Sequence, residues 1–197
     1  MADNLSIDRR TSALLVMDFQ TLIVDNYAAD AKALLNRTAK LIAAARTAGI
    51  RVIYVVVGFR PGYPEVSDRN ATFSRIKASG AFAAGAENTG IHSAVAPLAE
   101  EIVVTKHRVS AFAGTDLDLI LRANGIETLI LTGIITSGVV LSTLRHAADA
   151  DYRLLVVGDC CSDRDEDTHR MLLEKVFPWQ ATITTAAGLE QAIGARR

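Results

Sequence analysis

Six short apolar runs recur along the chain, and each is separated from the next by a segment long enough for a helix. Most are rich in Val and Ile and apolar at nearly every position, which is typical of strands buried on both faces of a parallel sheet. The runs are ALLVMD (13–18), RVIYVVV (51–57), EIVVT (101–105), TLILTG (128–133), RLLVVGD (153–159) and ATITT (181–185). This alternation predicts one doubly wound α/β domain over residues 1–197, with right-handed crossovers.

Three of the intervening segments carry helix signals. Residues 29–49 place apolar side chains on one face of a helix. That face consists of Leu34, Leu35, Leu41, Ile42 and Ala45. Thr115 is expected to cap a second helix that ends at Gly125. A third helix is expected to begin at Ser162 and to end at Pro178.

Residues 58–90 interrupt this alternation. They carry many Gly, Asn and Ser residues and several aromatic residues, which predicts a long loop. A loop of this length inside a compact domain usually serves a function. We therefore expect part of this segment to border the site.

The composition favours a protein without nucleic-acid or membrane partners. The formal net charge is −1 over 197 residues, which gives no broad attraction to nucleic acid or to an anionic membrane. The sequence has no apolar run of about 18 residues and no apolar signal core near its start. Cys160 and Cys161 are adjacent, a spacing that suits neither a disulfide nor a zinc site. A reducing, cytoplasmic setting is the prediction.

Polar residues follow two of the predicted strands at the point where each strand ends. Asp18 closes the first run, and Lys106 directly follows the third. Because ligands of open α/β sheets bind at the carboxyl ends of the strands, we expect these two side chains to meet there. A buried carboxylate needs a cation or hydrogen-bond donors. From the pattern alone, a structural ion pair explains the two residues as well as a catalytic pair does.

Three stretches of the chain carry a resemblance to a known family. They are LLVMDFQ (14–20), the segment from VVTKHR to GDCCSD (103–163) and EKVFPWQATITT (174–185). In these stretches the chain resembles the isochorismatase-like hydrolases, also called the cysteine hydrolase family. The resemblance implies a six-stranded parallel sheet between two layers of helices, a three-layer sandwich. It also implies hydrolysis of amides and related C–N bonds by a triad of Asp, Lys and Cys.

The resemblance assigns a role to several residues of this chain. Asp18 corresponds to the family's general base, and Lys106 corresponds to the lysine that lowers the pKa of the thiol. The position of the nucleophilic cysteine holds Val139, within the sequence TSGVV. The family has a cis peptide bond just before this turn, which here would join Ile134 and Ile135. The backbone N–H groups of Ile135 and Val139 would then point at the substrate carbonyl.

The resemblance also bears on cofactors and partners. We expect no cofactor. The zinc-binding branch of the family carries an Asp-x-His motif after the second strand, and residues 58–70 contain no His, which predicts no metal there. A neighbouring subunit often completes the pocket in this family. We therefore expect a homo-oligomer, a dimer or a tetramer, that takes a small-molecule substrate.

The valine at position 139 leaves three hypotheses about function open. In the first, Asp18 and Lys106 still support hydrolysis of an amide C–N or vinyl-ether bond. The family's isochorismatases also lack the cysteine, and they use the Asp as a general acid that protonates a vinyl ether. In the second, Cys160 replaces the nucleophile, although a small buried hydrophobe explains that residue better. In the third, the chain is a catalytically silent member that binds a small ligand or forms an oligomeric scaffold. We expect the first, because both charged residues are retained.

Further side chains are candidates for the substrate pocket, because they follow strand ends or lie in the long segment. They are Phe19, Gln20, Phe59, Arg60, Arg108 and Ser137. Arg108 has the fork geometry to bind a substrate carboxylate, and a surface charge is the alternative explanation. His92, His146 and His169 lie in predicted helical segments without a partner at a helpful spacing, and they receive no role.

Overall fold

The computed structural model describes residue 5, residues 7–86 and residues 89–194. Six parallel strands form one sheet in the order β3-β2-β1-β4-β5-β6. They are β1 (Ser12–Met17), β2 (Arg51–Val57), β3 (Ile102–Lys106), β4 (Thr128–Ile134), β5 (Arg153–Ser162) and β6 (Thr182–Thr184). All six apolar runs are strands, so the predicted α/β fold with a six-stranded parallel sheet is confirmed. The extent of the domain, residues 1–197, stays a prediction.

Helices connect the strands and cover both faces of the sheet. They are α1 (Thr21–Tyr27), α2 (Ala31–Thr47), α3 (Ala71–Ser79), α4 (Leu117–Ala123), α5 (Leu141–Asp149), α6 (Glu166–Met171) and α7 (Ala186–Gly194). A short π-helical turn, Thr136–Val140, leads from β4 into α5. Within the described ranges no helix has the length and apolar character needed to cross a membrane.

Alternate residues of β1 pack into two separate cores. Leu14 and Val16 face the core that α2 and α7 cover, whereas Leu15 and Met17 face the core that α4 and α5 cover. The predicted apolar face of α2 is buried in the first of these cores. Burial on both faces explains why the strands are apolar at nearly every position.

Three local predictions were wrong. The segment 58–90 is not all loop, because it contains α3, whose first turn is capped by the side chain of Asn70. Asp116, not Thr115, stands at the start of α4, although the Thr115 hydroxyl accepts a hydrogen bond from the Leu117 N–H at 3.3 Å. The helix expected from Ser162 begins at Glu166, because β5 runs on through Ser162 after a register shift against β4.

The strand order places a reversal at β1. The chain runs outward from β1 to β2 and β3, and it then returns to the other side of β1 to form β4. Met17, the last residue of β1, pairs with Val55 of β2 and with Gly133 of β4. Such a reversal opens a crevice at the carboxyl ends of the strands. The residues after β1 and β4 therefore lie at the place where this fold class binds ligands.

Gly133 lies where β4 approaches β1 so closely that a side chain has little room. A Cβ atom on Gly133 would lie 3.1 Å from the Met17 carbonyl oxygen and 3.2 Å from Val140 Cγ2. We expect Gly133→Ala to lower the free energy of unfolding in urea by about 1–3 kcal/mol, because two backbone segments must separate. Gly138→Ala is the control, since its Cβ would meet Ile135 at an ordinary 3.5 Å. Equal stability of the two variants would contradict this packing.

Candidate active site

Asp18 is held in place by the backbone that follows β1. Its φ angle is +60°, a left-handed conformation that Asp tolerates better than most residues. Its N–H donates a hydrogen bond to the Val55 carbonyl oxygen at 2.8 Å, which ties the end of β1 to β2. The residue is 5% exposed. The carboxylate is therefore fixed at the strand reversal and almost closed to water.

Lys106 reaches Asp18 across the end of β2. Its Nζ lies 2.9 Å from Asp18 Oδ2 and also donates to the Arg108 carbonyl oxygen at 3.2 Å. Lys106 is 3% exposed. Burial removes water from both charged groups, which is unfavourable for each of them. Each charge is therefore stable in the interior only because the other is close to it.

The second carboxylate oxygen of Asp18 has no such partner. Oδ1 is buried, and no group in the described part of the chain forms a hydrogen bond with it. Burial raises the pKa of the Asp18 carboxyl above its ordinary value, and the ammonium of Lys106 opposes part of that rise. Oδ1 can thus accept a hydrogen bond from a water or a ligand. When the carboxyl group is protonated, it can donate one instead.

The turn after β4 carries the residues expected to face the substrate. The peptide bond between Ile134 and Ile135 is cis. The N–H groups of Gly138 and Val140 donate to the Ile135 carbonyl oxygen at 3.0 and 3.3 Å. Val139 is 2% exposed and packs in the core between the sheet, α4 and α5. An aliphatic side chain at this position has no nucleophilic atom.

Phe19 and Gln20 are both occupied by internal contacts. Phe19 is buried in the core that faces α2. The Gln20 side chain donates to the carbonyl oxygens of Val57 and Thr89, at 2.9 and 2.5 Å, and it accepts from the Val57 N–H at 2.8 Å. Gln20 therefore joins the end of β2 to the segment before β3.

The arginine candidates are also engaged. Arg108 donates to the carbonyl oxygens of His107 and Glu65 at 2.6 and 2.9 Å, which uses two of its N–H groups. Arg60 is exposed and forms an ion pair with Glu65 at 2.6 Å. Arg108 thus holds the segment after β2 against the end of β3, whereas the Arg60 ion pair lies within that segment.

Phe59 and Arg60 do line a cavity, but it lies to one side of the ion pair. The cavity has a volume of about 570 Å³, and Gln20, His107 and Asp116 are among its other walls. Neither Asp18 nor Lys106 lines it. The structure therefore brings Asp18 and Lys106 together and places these two pocket candidates in the wall of a separate cavity.

Sequence reasoning missed two residues that contact the turn after β4. Asp163 Oδ2 accepts a hydrogen bond from the Ser137 N–H at 2.7 Å. His169 Nδ1 and Thr136 Oγ1 share a hydrogen bond at 2.8 Å. Asp163 gave no signal, because the run predicted as the fifth strand ends at Asp159, whereas β5 runs on to Ser162. His169 gave none, because 33 residues separate it from Thr136.

Cys160 and Cys161 are both buried, as expected of small apolar residues. Burial raises the pKa of the Cys160 thiol to about 12. It raises the pKa of the Cys161 thiol as well. Both thiols therefore stay protonated at neutral pH, and a protonated thiol is a poor nucleophile. Among the described residues no three His, Cys, Asp or Glu side chains are grouped as a metal site would require.

Comparison with known proteins identifies relatives over most of the chain. The sequence model of the Isochorismatase domain matches residues 12–188. A maleamate amidohydrolase of Pseudomonas putida is 32% identical over 164 residues, which are 81% of this chain and 76% of the relative. A ureidoacrylate amidohydrolase of Methylobacterium radiotolerans is 30% identical and covers 96% of this chain and 82% of its own length.

A solved structure shares the fold. The cysteine hydrolase from Pseudomonas syringae pv. phaseolicola superposes with a TM-score of 0.89 over 96% of this chain and 95% of its own. Its sequence is 22% identical, so the likeness concerns the fold alone.

Lys106→Met tests the dependence of the buried charges on each other. We expect it to lower the free energy of unfolding at neutral pH by about 3–5 kcal/mol, because Asp18 is left buried without its cation. Adding Asp18→Asn should restore part of this loss. Arg122→Met is the control, since its ion pair with Asp118 is exposed and should be worth about 1 kcal/mol or less. Equal losses in urea unfolding for both single variants would contradict a coupled buried pair.

Proposed function

The chain belongs to the isochorismatase family, and from this premise we propose that it hydrolyses an amide or related C–N bond of a small organic molecule at Asp18 and Lys106. The observation that carries the proposal is the free oxygen Oδ1 of Asp18, buried at the strand reversal beside the Lys106 ammonium. A carboxylate placed in this way can accept a proton from a water molecule.

The amide preference is supported by the relatives. Two of them, at 32% and 30% identity, are named for the hydrolysis of maleamate and of ureidoacrylate, in which a C–N bond is cleaved. The substrate proposed here is a small molecule of the same bond type. The expected dimer or tetramer and the cytoplasmic setting stay predictions.

Valine at position 139 makes water the nucleophile in this proposal. Asp18 Oδ1 takes a proton from the water as its oxygen bonds to the amide carbon. Lys106 stays protonated and holds Oδ2, while the N–H groups of Ile135 and Val139 donate to the developing oxyanion. Asp18 then gives its proton to the leaving nitrogen as the C–N bond breaks. The products are a carboxylic acid and an amine, and no group of the chain becomes acylated.

A second candidate is supported by the raised pKa of Asp18. A carboxyl group that is protonated near neutral pH can act as a general acid. Asp18 would then protonate the carbon–carbon double bond of a vinyl ether, and water would attack the resulting cation. The two candidates require opposite protonation states of Asp18, so the pH dependence of the rate separates them.

Asp18→Asn is the direct test, with a panel of small amides, ureido compounds and vinyl ethers as probes. We expect it to lower kcat/KM by about a hundredfold or more, because the proton acceptor is lost. In the amide route kcat/KM of the unmodified chain should fall as pH drops through the Asp18 pKa, which lies above 3.8. In the vinyl-ether route it should fall as pH rises through the same pKa.

The control variant carries Cys160→Ala and Cys161→Ala. Because both thiols are buried and protonated, we expect it to keep kcat/KM within about threefold of the unmodified chain. Loss of activity in this variant, with the fold intact, would favour a relocated nucleophile. If the unmodified chain and Asp18→Asn are both inactive on the whole panel, the silent ligand-binding alternative replaces the hydrolase.

A further inference from the structure

The turn after β4 is held by two side chains from the segment that follows β5. Asp163 Oδ2 accepts the Ser137 N–H at 2.7 Å, and His169 Nδ1 bonds Thr136 Oγ1 at 2.8 Å. Asp163 is 6% exposed and Thr136 is fully buried, so water is poorly placed to replace either bond. We propose that Asp163 and His169 are positioning residues that fix the backbone of this turn and thereby the direction of the Val139 N–H, an inference that rests on the proposed function.

The hydrogen bond to Asp163 gives a partner to an N–H group at the start of the helix. The helical turn that leads into α5 begins at Thr136, and the first N–H groups of a helix have no partner within it. A carboxylate is favourable at this end of a helix, and its hydrogen bond is stronger than a neutral one. Because the N–H groups of Gly138 and Val140 donate to the Ile135 carbonyl oxygen, a rotation at Ser137 would disturb the whole turn.

The segment 163–169 has contacts of its own that hold it in place. The other oxygen of Asp163, Oδ1, accepts the Arg164 N–H at 2.9 Å. The Asp165 side chain accepts the Thr168 N–H at 2.8 Å and caps α6, which carries His169. The Arg164 guanidinium lies 4.7 Å from the centre of the Tyr27 ring. The hydrogen bonds from Asp163 and His169 to the turn therefore come from a segment that has stabilising contacts of its own.

In the proposed reaction the orientation of the turn affects the rate. An oxyanion donor acts only when its N–H points at the place where the negative charge develops. A misplacement of about 1 Å at a reacting group can cost a hundredfold in rate. Asp163 and His169 contact the turn and not the ion pair, so they act on the reaction through the orientation of the turn.

The test places a reporter thiol in the turn. The reporter chain carries Val139→Cys with Cys160→Ala and Cys161→Ala, and labelling by iodoacetamide is followed as a function of pH. Lys106 and the N–H groups of the turn stabilise the thiolate when they point at it. We expect His169→Leu to raise the thiol pKa and to slow labelling at neutral pH by about threefold or more. His169→Asn, whose amide reaches the place of Nδ1, should restore the rate to within about twofold.

Two variants at position 163 separate the hydrogen bond from the charge. Asp163→Ala and Asp163→Asn remove the same negative charge, but only Asn keeps an acceptor for the Ser137 N–H. We expect labelling to be about threefold slower in Asp163→Ala than in Asp163→Asn. Asp167→Asn is the control for charge, because this exposed residue pairs with Arg170 and should leave the labelling rate unchanged.

Unchanged labelling in His169→Leu and Asp163→Ala, with the fold intact by near-UV circular dichroism, would overturn the positioning role even if the chain hydrolyses amides. A reporter thiol that resists labelling in the folded protein would be explained by the burial of position 139. Amide hydrogen exchange then decides the inference in the chain without the reporter. Asp163→Ala should speed exchange at Ser137 and Gly138 by about tenfold or more, with Leu131 as the reference. Equal exchange rates would overturn it.

Discussion

The buried ion pair between Asp18 and Lys106 is the interaction on which the rest of the site depends. The two charged atoms lie 2.9 Å apart, and the residues are 5% and 3% exposed. Neither charge would be tolerated there alone, because removing an ion from water costs several kcal/mol that only a close partner offsets. The sheet meets this need, since β1 and β3 both flank β2 and their carboxyl ends lie at the same edge. The pair therefore fixes the geometry of the carboxyl edge and leaves one oxygen of Asp18 free.

In the proposed function, valine at position 139 makes water the group that attacks the substrate, and the backbone of the turn stays in place. The side chain joins the core between the sheet, α4 and α5, so the position is packed as part of the interior. The N–H groups of the turn belong to the backbone and do not depend on the side chain. In this proposal Asp18 is the proton acceptor, Lys106 is the fixed cation, and the N–H groups of Ile135 and Val139 are the donors. These groups suit attack by water, and they are the basis of the proposed hydrolysis of a C–N bond.

Much of the fold could be predicted from the sequence, because strands buried on both faces leave continuous apolar runs. The meeting of Asp18 and Lys106 followed from their places at strand ends, since parallel strands end at one edge. The start of α6 was missed because the register shift in β5, between Leu131 and Gly133 of β4, has no sequence signature. Helix α3 was missed because its single buried apolar residue, Phe73, gives almost no periodic pattern. The contact of His169 with Thr136 needed the three-dimensional structure, because it joins two helical segments from distant parts of the chain.

The central claim is that water attacks the substrate directly, activated by Asp18. A single turnover in oxygen-18 water, with the protein in excess over a hydrolysed amide probe from the panel, tests it most directly. The account predicts that the product carboxylate carries one heavy oxygen and that the peptide containing Asp18 carries none. Heavy oxygen in the Asp18 carboxylate, together with an unlabelled product, would show that Asp18 forms a covalent intermediate and would contradict the account.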